Sequence, residues 1–418
     1  MYLELNLDLT DEQAALRDAV HQFAREVVRP RTVELDRLPT PEEVIQSGSV
    51  LWEVFRKAYA LGYHTILIPE SHGGLGLSPL ELALVFEEMG WASIGFSLGM
   101  GVACFPAFFG SMLDDERILE TFVRPFAADK EARIIGSWGI TEPDHGSDAL
   151  MAGTKQFRDP GICCQVRATQ DGDSYILNGQ KAAWISNGTI ATQCTLFCTI
   201  DLSQGMAGGG ICLVPLDLPG VSRGKPLKKM GVRDLNQGEI FFENVRVPRE
   251  FMISDPESYE PMTDLTLATA NAAMGMIHLG AGRAAFEEAL QYAKERIQGG
   301  KPIAEHQIIR AKLFEMFMNI EAGRALARAA MVYNYSNTPP VLEYSIASKV
   351  FCTETAFRCA SEGVQILGGN GLSREYIMEK LFRDTRSGLI GDGTSEILAQ
   401  TAAEKFIPSY PFAGWTRS

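Results

Sequence analysis

Residues 239–247 read Glu239-Ile240-Phe241-Phe242-Glu243-Asn244-Val245-Arg246-Val247, with apolar and polar residues alternating along much of the stretch. A period of two is typical of a β-strand with one buried face. Comparable segments lie at Tyr175-Ile176-Leu177, Cys194 to Ile200 and Gly210 to Leu216. Turn residues stand between them at Asp171-Gly172, Asn187-Gly188 and Gly208-Gly209-Gly210. The stretch from about Arg133 to Pro248 therefore predicts a hairpin-rich antiparallel sheet.

Helical periodicity flanks this predicted sheet on both sides. Thr10 and Gln13 form a predicted capping box, and apolar residues follow at helical spacing up to Pro30, where we expect the helix to end. Later helical patterns cover Trp52 to Leu61, Pro79 towards Phe105, Leu265 to Arg296, His306 to Tyr335, Leu342 to Leu367 and Thr394 to Lys405. The sequence thus predicts an α+β protein. Its expected parts are an α-helical N-terminal domain (1–132), an antiparallel β middle domain (133–250) and an α-helical bundle C-terminal domain (251–418).

Length and charge limit the classes of function. A chain of 418 residues, 46% of them hydrophobic, is expected to fold into two or three packed units. The net charge of −14 and the lack of a dense Lys/Arg cluster argue against a nucleic-acid or anionic-membrane partner. No apolar run of about 18 residues and no signal-peptide pattern is evident, so we expect a cytoplasmic protein with no membrane segment.

The eight cysteines show no Cys-x-x-Cys pair and no matching histidine spacing. Such a pattern favours neither a disulfide framework nor a metal site. We therefore predict buried free thiols and no bound metal.

A second stretch, Ile390-Gly391-Asp392-Gly393-Thr394-Ser395-Glu396-Ile397, isolates one carboxylate between two glycines just before a predicted helix. Glycine lets the backbone approach a ligand closely, and the carboxylate is a candidate base. Ordinary turn chemistry is the alternative for an aspartate between glycines.

The order of helix, sheet and helix, together with several separated motifs, resembles the acyl-CoA dehydrogenase family of flavoproteins from about Leu9 to Phe406. The motifs are Gly139-Ile140-Thr141-Glu142-Pro143, Gly146-Ser147-Asp148, Trp184-Ile185-Ser186-Asn187-Gly188, Tyr292-Ala293-Lys294-Glu295-Arg296, Lys301-Pro302-Ile303, Gln365-Ile366-Leu367-Gly368-Gly369-Asn370-Gly371, Arg383-Asp384 and Gly393-Thr394-Ser395-Glu396. Each motif alone could arise by chance, but the set in this order is specific.

The resemblance implies FAD as the cofactor. Trp138 and Trp184 would form apolar walls near Ile140, while Thr141 and Ser186 would contact the flavin, with Ser186 near N5. The residues implied for the rest of FAD are Ser147, Gln365, Gly368, Gly369, Thr394 and Glu396, with Arg296 and Gln298 from a neighbouring subunit. A cofactor shared in this way implies a homo-oligomer, and the resemblance implies a homotetramer. Without the resemblance, the tryptophans would be ordinary core residues and the hydroxyls turn residues.

The implied reaction is α,β-dehydrogenation of an acyl-CoA thioester, with electrons passed on to electron-transfer flavoprotein. A carboxylate removes the α-proton while a hydride leaves the β-carbon for flavin N5. Asp392 stands where most members have glutamate, and the alternative base position is occupied by Ala270. Gly393 would help to bind the thioester oxygen through its amide, and Ser147 would contact the pantetheine or thioester end. Aspartate is one methylene shorter than glutamate, so its carboxylate would retreat by roughly 1.5 Å.

That shorter acid leaves several interpretations open. It would make room for a bulky acyl group, and residues 80–116 contain no arginine for a charged one, so an uncharged short, branched or cyclic acyl group is expected. A related flavoenzyme is the alternative: a nitroalkane-type oxidase, or a decarboxylating or 1,4-eliminating acyl-CoA dehydrogenase. Nitroalkane oxidases carry an arginine seven residues after this aspartate, where Ala399 stands here. A flavin-binding protein kept for interaction or regulation is the third hypothesis.

Further positions outside the main motifs carry separate predictions. An extra segment at about Gly153 to Cys163 would lie close to the cofactor side and reshape the substrate entrance. His145 is expected to be an ordinary turn residue. Family position would put Gly95, Phe96, Ser97, Met100 and Phe105 along the acyl pocket, but their spacing favours a helix core. The family's hydroxyl residues after Arg233 are replaced by 234–238, Asp-Leu-Asn-Gln-Gly.

Overall fold

The N-terminal part of the molecule is helical. The structure is a computed structural model that describes residues 3–5 and 8–411. The N-terminal helices are α1 (Asp11–Phe23), α2 (Arg29–Arg37), α3 (Pro41–Ile45), α4 (Val50–Ala60), α5 (Pro79–Ala92), α6 (Ile94–Ala103), α7 (Phe105–Ser111), α8 (Glu116–Ile118) and α9 (Arg124–Ala128). Two π-helical turns, Ala24–Val28 and Leu119–Val123, join α1 to α2 and α8 to α9.

The predicted start of α1 is confirmed, whereas its predicted end is wrong. Thr10 Oγ accepts the N–H of Gln13, and the Gln13 side chain accepts the N–H of Thr10, both at 3.2 Å. Helical backbone then continues past Pro30 to Arg37. The π turn places Pro30 in the first turn of α2, where a missing N–H costs little.

The middle of the chain forms an eight-stranded sheet. Its strands are β1 (Gly136–Gly139), β2 (Arg167–Asp171), β3 (Ser174–Ser186), β4 (Gln193–Thr199), β5 (Gly209–Pro215), β6 (Val221–Arg223), β7 (Gln237–Pro248) and β8 (Met252–Ser254). They lie in the order β6-β7-β3-β2-β4-β5-β8, and β1 pairs with β4. Most pairs are antiparallel, as predicted, but β4 lies parallel to both β1 and β2. Hairpin signals cannot indicate parallel pairs, which need long crossover connections.

Strand β7 contains the stretch 239–247, and its alternation changes phase midway. Ile240 and Phe242 are buried, and so are Val245 and Val247. Between them, Asn244 adopts a left-handed φ of +51°, and the pairing with β3 shifts by one residue. This β-bulge keeps both apolar pairs on the buried face.

The C-terminal part is a helical bundle. It contains α10 (Tyr259–Glu295), α11 (Gln307–Ser336), α12 (Leu342–Leu367), α13 (Met378–Thr385) and α14 (Ser395–Ser409), with a two-stranded ribbon of β9 (Ile297–Gln298) and β10 (Lys301–Pro302). The α+β class with helical ends and a sheet-rich middle is confirmed. The boundaries at 132/133 and 250/251 stay predictions.

Helix α5 of the N-terminal part packs closely against α10 of the bundle. A Cβ built at Gly90 would lie 2.0 Å from the carbonyl oxygen of Ile277, and one at Gly280 would lie 2.0 Å from that of Glu87. Only glycine therefore fits at the crossing. Beside it, Arg283 donates to the buried carboxylate of Glu87 at 2.9 Å, so a buried ion pair joins the two helical parts.

Two predictions about the interior are confirmed. The residues Phe96, Ser97, Met100 and Phe105 are buried in the helix core. All eight cysteines are free; seven are buried, and Cys163 is half-buried.

Within residues 3–5 and 8–411, no single helix has both the length and the apolar composition needed to cross a bilayer. The bent pair α6 and α7, at 42°, meets those two criteria when taken together.

Candidate active site

A cleft of about 980 Å³ lies where the sheet meets the C-terminal bundle. Its walls come from all three parts of the chain, because Leu98 of α6 lines it beside strand residues and the turn before α14. The predicted site residues that line it are Trp138, Ile140, Thr141, Ser147, Trp184, Ser186, Asp392 and Gly393. Residues far apart in sequence therefore meet in one cavity.

A buried ion pair holds the sheet side of the cleft. Lys181 Nζ donates to Glu142 Oε1 at 2.7 Å and to the carbonyl oxygen of Ile140 at 3.0 Å. Both charged side chains are fully buried. The carbonyl of Thr141 accepts the N–H of Ala182 at 2.9 Å, which fixes the backbone of this segment.

Two tryptophans contribute to the same wall with different exposure. Trp184 is 58% exposed although it lies in strand β3, so a broad aromatic surface faces open space in the cleft. Trp138 is 7% exposed, and its buried Nε1 has no hydrogen-bond partner among the described residues. A buried indole N–H normally finds an acceptor. The cleft can therefore offer a flat apolar surface to a ligand, and an unpartnered indole N–H lies within its wall.

A chain of polar side chains ends at Ser186. Lys229 Nζ donates to Gln237 Oε1 at 2.8 Å, and Gln237 Nε2 donates to Ser186 Oγ at 3.4 Å. Burial lowers the pKa of Lys229 to about 7, although Asp234 and Asp384 attract its charge. Gln237, the fourth residue after Arg233, thus brings an amide to the wall that contains Ser186.

Asp392 occupies an unusual backbone conformation on the opposite side of the cleft. Its φ is +52°, in the left-handed region, and that of Gly393 is +99°. Aspartate tolerates this region better than most residues, whereas Gly393 needs no side-chain accommodation. The side chain of Asp392 is half-buried, and desolvation by the surrounding protein raises the pKa of its carboxyl to about 6. Lys349 opposes part of that rise by attraction.

Ser147 connects the sheet side with the turn that carries Asp392. Its Oγ accepts the N–H of Thr394 at 3.0 Å. With the oxygen used as an acceptor, the hydroxyl hydrogen is left to donate towards the cleft that Ser147 lines. Thr394 itself lies at the N-cap of α14, where its Oγ accepts the N–H of Ile397.

His145 is part of the turn at the mouth of the cleft. Its Nδ1 lies 2.7 Å from Asp148 Oδ2, and Asp148 Oδ1 accepts the N–H of Gly146 at 2.7 Å. The histidine therefore has the partners expected of a turn residue, although it also lines the cleft.

Seven of the sequence-predicted site residues do not line the cleft: Arg296, Gln298, Gln365, Gly368, Gly369, Thr394 and Glu396. The first five are exposed. Their two segments lie next to each other at one end of the bundle, since Asn370 Nδ2, just after Gly369, donates to the hydroxyl of Tyr292, one helical turn before Arg296, at 3.0 Å. One copy of the chain thus presents both segments together. Contact of these five residues with a cofactor remains a prediction.

Sequence reasoning missed Lys349, which lies behind the turn. Its Nζ donates to the carbonyl oxygen of Gly393 at 2.7 Å, and its side chain is fully buried. A signal was present, because Lys349 lies three residues from both Ile346 and Cys352 on the buried stripe of α12.

Arg386 was also missed. It lines the cleft, and its Nη1 is buried without a hydrogen-bond partner among the described residues. Nothing in the local sequence distinguishes this arginine from a surface residue.

The extra segment at 153–163 does not contribute to the described lining of the cleft. Instead, the N–H of Gly153 and the guanidinium of Arg158 both donate to the carboxylate of Glu260 at the start of α10. The prediction that it lies close to the cofactor side and reshapes the substrate entrance gains no support from these contacts.

Comparison with known families follows the same division of the chain. Family models described as acyl-CoA dehydrogenase N-terminal, middle and C-terminal domains match residues 10–135, 137–245 and 262–407. A Bacillus subtilis protein named "Probable acyl-CoA dehydrogenase YngJ" is 34% identical over 96% of this chain and 100% of its own length. The chain belongs to the acyl-CoA dehydrogenase family. Its members are flavin-dependent oxidoreductases, and this chain is therefore an oxidoreductase of that family.

Two further comparisons are with proteins named for other substrates. Benzylmalonyl-CoA dehydrogenase of Aromatoleum aromaticum is 32% identical over 96% of this chain and 99% of its own length. A solved structure of nitroalkane oxidase superposes with a TM-score of 0.86, covering 98% of this chain and 99% of its own, but it is 20% identical. At that identity the likeness shows the shared fold alone.

Proposed function

We propose that this protein catalyses the FAD-dependent α,β-dehydrogenation of an acyl-CoA thioester, with Asp392 as the base. The observation that carries the proposal is the position of Asp392, whose half-buried carboxylate lines the same cleft as Trp184 and Ser186. A base that works near neutral pH needs a pKa close to that pH, and burial raises the pKa of Asp392 to about 6.

The residues of the cleft fit an isoalloxazine ring. Trp184 offers an exposed aromatic face, Trp138 has an unused buried N–H, and Thr141, Ser147 and Ser186 bring hydroxyls to the same cavity. These are the apolar surface and donors that a flavin needs along its polar edge. When bound, FAD would accept the hydride that leaves the substrate β-carbon.

The chain's own residues would perform the proton chemistry. Asp392 would remove the α-proton of a thioester held across the cleft, and the N–H of Gly393 would donate to the thioester oxygen, where negative charge develops. Ser147 would donate its hydroxyl hydrogen to the cofactor or to the pantetheine arm. Thr394, Glu396 and the surface segments at 296–298 and 365–369 would complete the cofactor site, with Arg296 and Gln298 from a neighbouring subunit. Because one copy of the chain presents both segments together, we extend the neighbour's contribution to 365–369.

The acyl group that best suits this cleft is short, branched or cyclic and uncharged. Aspartate leaves about one methylene more space than glutamate between the base and the acyl chain. Apolar residues line the nearby wall, among them Leu98, Val232 and Met274. A 32% identical relative is named benzylmalonyl-CoA dehydrogenase. The CoA esters to be tested should therefore include one with an aromatic or ring-bearing acyl group. A dicarboxylic ester also belongs in the panel, because the guanidinium of Arg386 lines the cleft and its buried Nη1 has no hydrogen-bond partner among the described residues.

Oligomerisation has support from the surface of the bundle. Helices α11 and α12 expose large apolar side chains, namely Ile308, Phe314, Met318, Val332, Tyr333, Tyr344 and Phe351. Clustered exposed apolar residues mark interaction surfaces. We therefore include self-association in the proposal. The homotetramer and the transfer of electrons to electron-transfer flavoprotein follow the family resemblance, and a cytoplasmic location stays the expectation from the sequence.

The proposal is tested by anaerobic titration of the purified yellow protein. Straight, branched, cyclic, aromatic and dicarboxylic CoA esters are added in turn, and flavin absorbance is followed. Bleaching by an uncharged short, branched or cyclic ester, reversed by electron-transfer flavoprotein, is the expected result. No bleaching across the whole panel would contradict the proposed function.

A flavin oxidase acting on a carbon acid such as a nitroalkane is the second candidate, because it too would use an aspartate as its base. Ala399 disfavours it, since nitroalkane oxidases have arginine at that position. Rapid peroxide formation in air with a nitroalkane, without bleaching by any thioester, would favour this candidate.

A further inference from the structure

Lys349 is a buried cation placed directly behind the candidate base. Its side chain has no exposed surface, and its Nζ donates to the carbonyl oxygen of Gly393 at 2.7 Å. A buried ammonium is unfavourable unless charge or hydrogen bonds compensate it. Here a backbone carbonyl and the nearby carboxylate of Asp392 provide that compensation.

The bond from Lys349 is one of two that fix the same peptide unit. In the peptide unit that joins Gly393 to Thr394, the carbonyl oxygen of Gly393 accepts from Lys349 Nζ. The N–H of Thr394 donates to Ser147 Oγ at 3.0 Å. The preceding Asp392 has a left-handed φ of +52°. Non-glycine residues occupy that region only when surrounding contacts favour it. The two bonds supply such contacts on the C-terminal side of Asp392.

The charge of Lys349 also favours the ionised form of Asp392. Burial raises the pKa of Asp392 to about 6, and the attraction of Lys349 opposes that rise. Burial also lowers the pKa of Lys349 to about 8, while Asp392, then Glu396 of α14 and Glu354 of α12, attract its charge. An ammonium with this pKa remains largely protonated at pH 7.

Other titratable groups around the turn act differently. His278 of α10 is buried, and desolvation lowers its pKa to about 4, so it is neutral at pH 7. Arg386 lines the cleft, but it is Lys349 whose charge acts on Asp392. Lys349 is therefore the group whose removal would alter the base most directly.

We propose that Lys349 is the positioning residue of the base: it fixes the turn at Asp392 through the carbonyl of Gly393 and supplies the positive charge that opposes burial of the carboxylate. The inference rests on the proposed function only in its use of Asp392 as the base. Lys349 itself contacts the turn and need not contact substrate.

Three variants of Lys349 separate the hydrogen bond from the charge. Lys349→Met removes both, whereas Lys349→Gln keeps an amide donor and removes the charge. Lys349→Arg keeps the charge and a donor. Lys405→Met is the matched control, because it removes a part-buried ammonium from α14 that pairs with Asp264, away from the turn.

The first measurement is the pH dependence of flavin reduction by the best thioester. Lys349→Met and Lys349→Gln should retain FAD, and the midpoint of the rising limb should move up by roughly one pH unit, a tenfold loss of rate below the midpoint. Lys349→Arg should restore most of the wild-type profile, and Lys405→Met should leave the midpoint unchanged. Loss of FAD from both uncharged variants, or an unchanged midpoint in them, would overturn the inference.

The second measurement needs no substrate. Infrared spectroscopy follows the carbonyl stretch of the protonated Asp392 carboxyl with pH, assigned by its loss in Asp392→Asn. The midpoint should rise in Lys349→Gln but not in Lys405→Met, and equal midpoints would overturn the inference. If no thioester of the panel bleaches the flavin of the wild-type protein, the proposed function is contradicted instead, so the two failures are distinguishable.

Discussion

The ammonium of Lys349 lies 2.7 Å from the carbonyl oxygen of Gly393, the residue that follows Asp392. Ser147 holds the N–H of the same peptide unit from the sheet side of the cleft. The turn that carries the candidate base is therefore fixed by both the bundle and the middle of the chain. Substitutions outside the carboxylate should consequently alter its chemistry.

The reaction rate should rise with pH through about 6. Burial raises the pKa of Asp392 to about 6, and a base is active only when it is ionised, so activity is lost as the pH falls below that value. Stopped-flow reduction of the flavin by a thioester between pH 5 and 8 measures this. A rate that is unchanged between pH 5 and 7 would contradict the expected titration.

Replacing Ser147 should weaken both stability and turnover. In Ser147→Ala the part-buried N–H of Thr394 loses its acceptor, which costs about 1–3 kcal/mol. The turn also loses one of its two bonds, so flavin reduction should slow. Thermal unfolding and single-turnover reduction measure the two effects. Ser203→Ala, at an exposed site, is the control and should change neither; equal behaviour of the two variants would count against the role of Ser147.

The ion pair beneath Thr141 should be important for stability. Lys181→Met leaves Glu142 buried without its charged partner, and breaking such a pair costs about 3–5 kcal/mol. Arg246→Met breaks the exposed pair with Asp171, which contributes less than about 1 kcal/mol. Denaturant unfolding compares the two variants. Similar unfolding midpoints would show that burial does not make the Glu142 pair critical.

Restoring glutamate should change substrate preference. Asp392→Glu extends the carboxylate by about one methylene into the space proposed for a bulky acyl group. Activity on straight-chain esters should rise relative to that on branched or cyclic ones. Steady-state kcat/KM across the ester panel measures the ratio, and an unchanged ratio would reject the idea that the shorter acid makes room for the substrate.

Sequence patterns predicted those strands and helix starts that depend on neighbouring residues in the chain. The alternation of 239–247 and the capping box at Thr10 correspond to a strand and a helix start. Two features depend on partners that are distant in sequence. The parallel pairing of β1 with β4 arises from a long connection, and the π turn before Pro30 overrode the usual helix stop.

The candidate site could be predicted only in part. Motifs indicated part of the cleft lining, including Asp392 and Trp184, but not Arg386. They did not indicate Lys349 or Gln237. The place of Lys349 on the buried stripe of α12 signals burial, but its bond to a backbone carbonyl, like the bond from Gln237 to Ser186, exists only after folding. The surface segments at 296–298 and 365–369 do not line the cleft, so their contact with a cofactor stays a prediction.

The most direct test of the central claim is the rate at which an acyl-CoA thioester bleaches the flavin of Asp392→Asn under anaerobic conditions. Asparagine has nearly the same shape and tolerates a left-handed φ, but it cannot accept the α-proton. We predict that the variant retains FAD and reduces it about 10²–10⁴ times more slowly than the wild type. Retention of FAD with wild-type bleaching by the best thioester would contradict the assignment of Asp392 as the base.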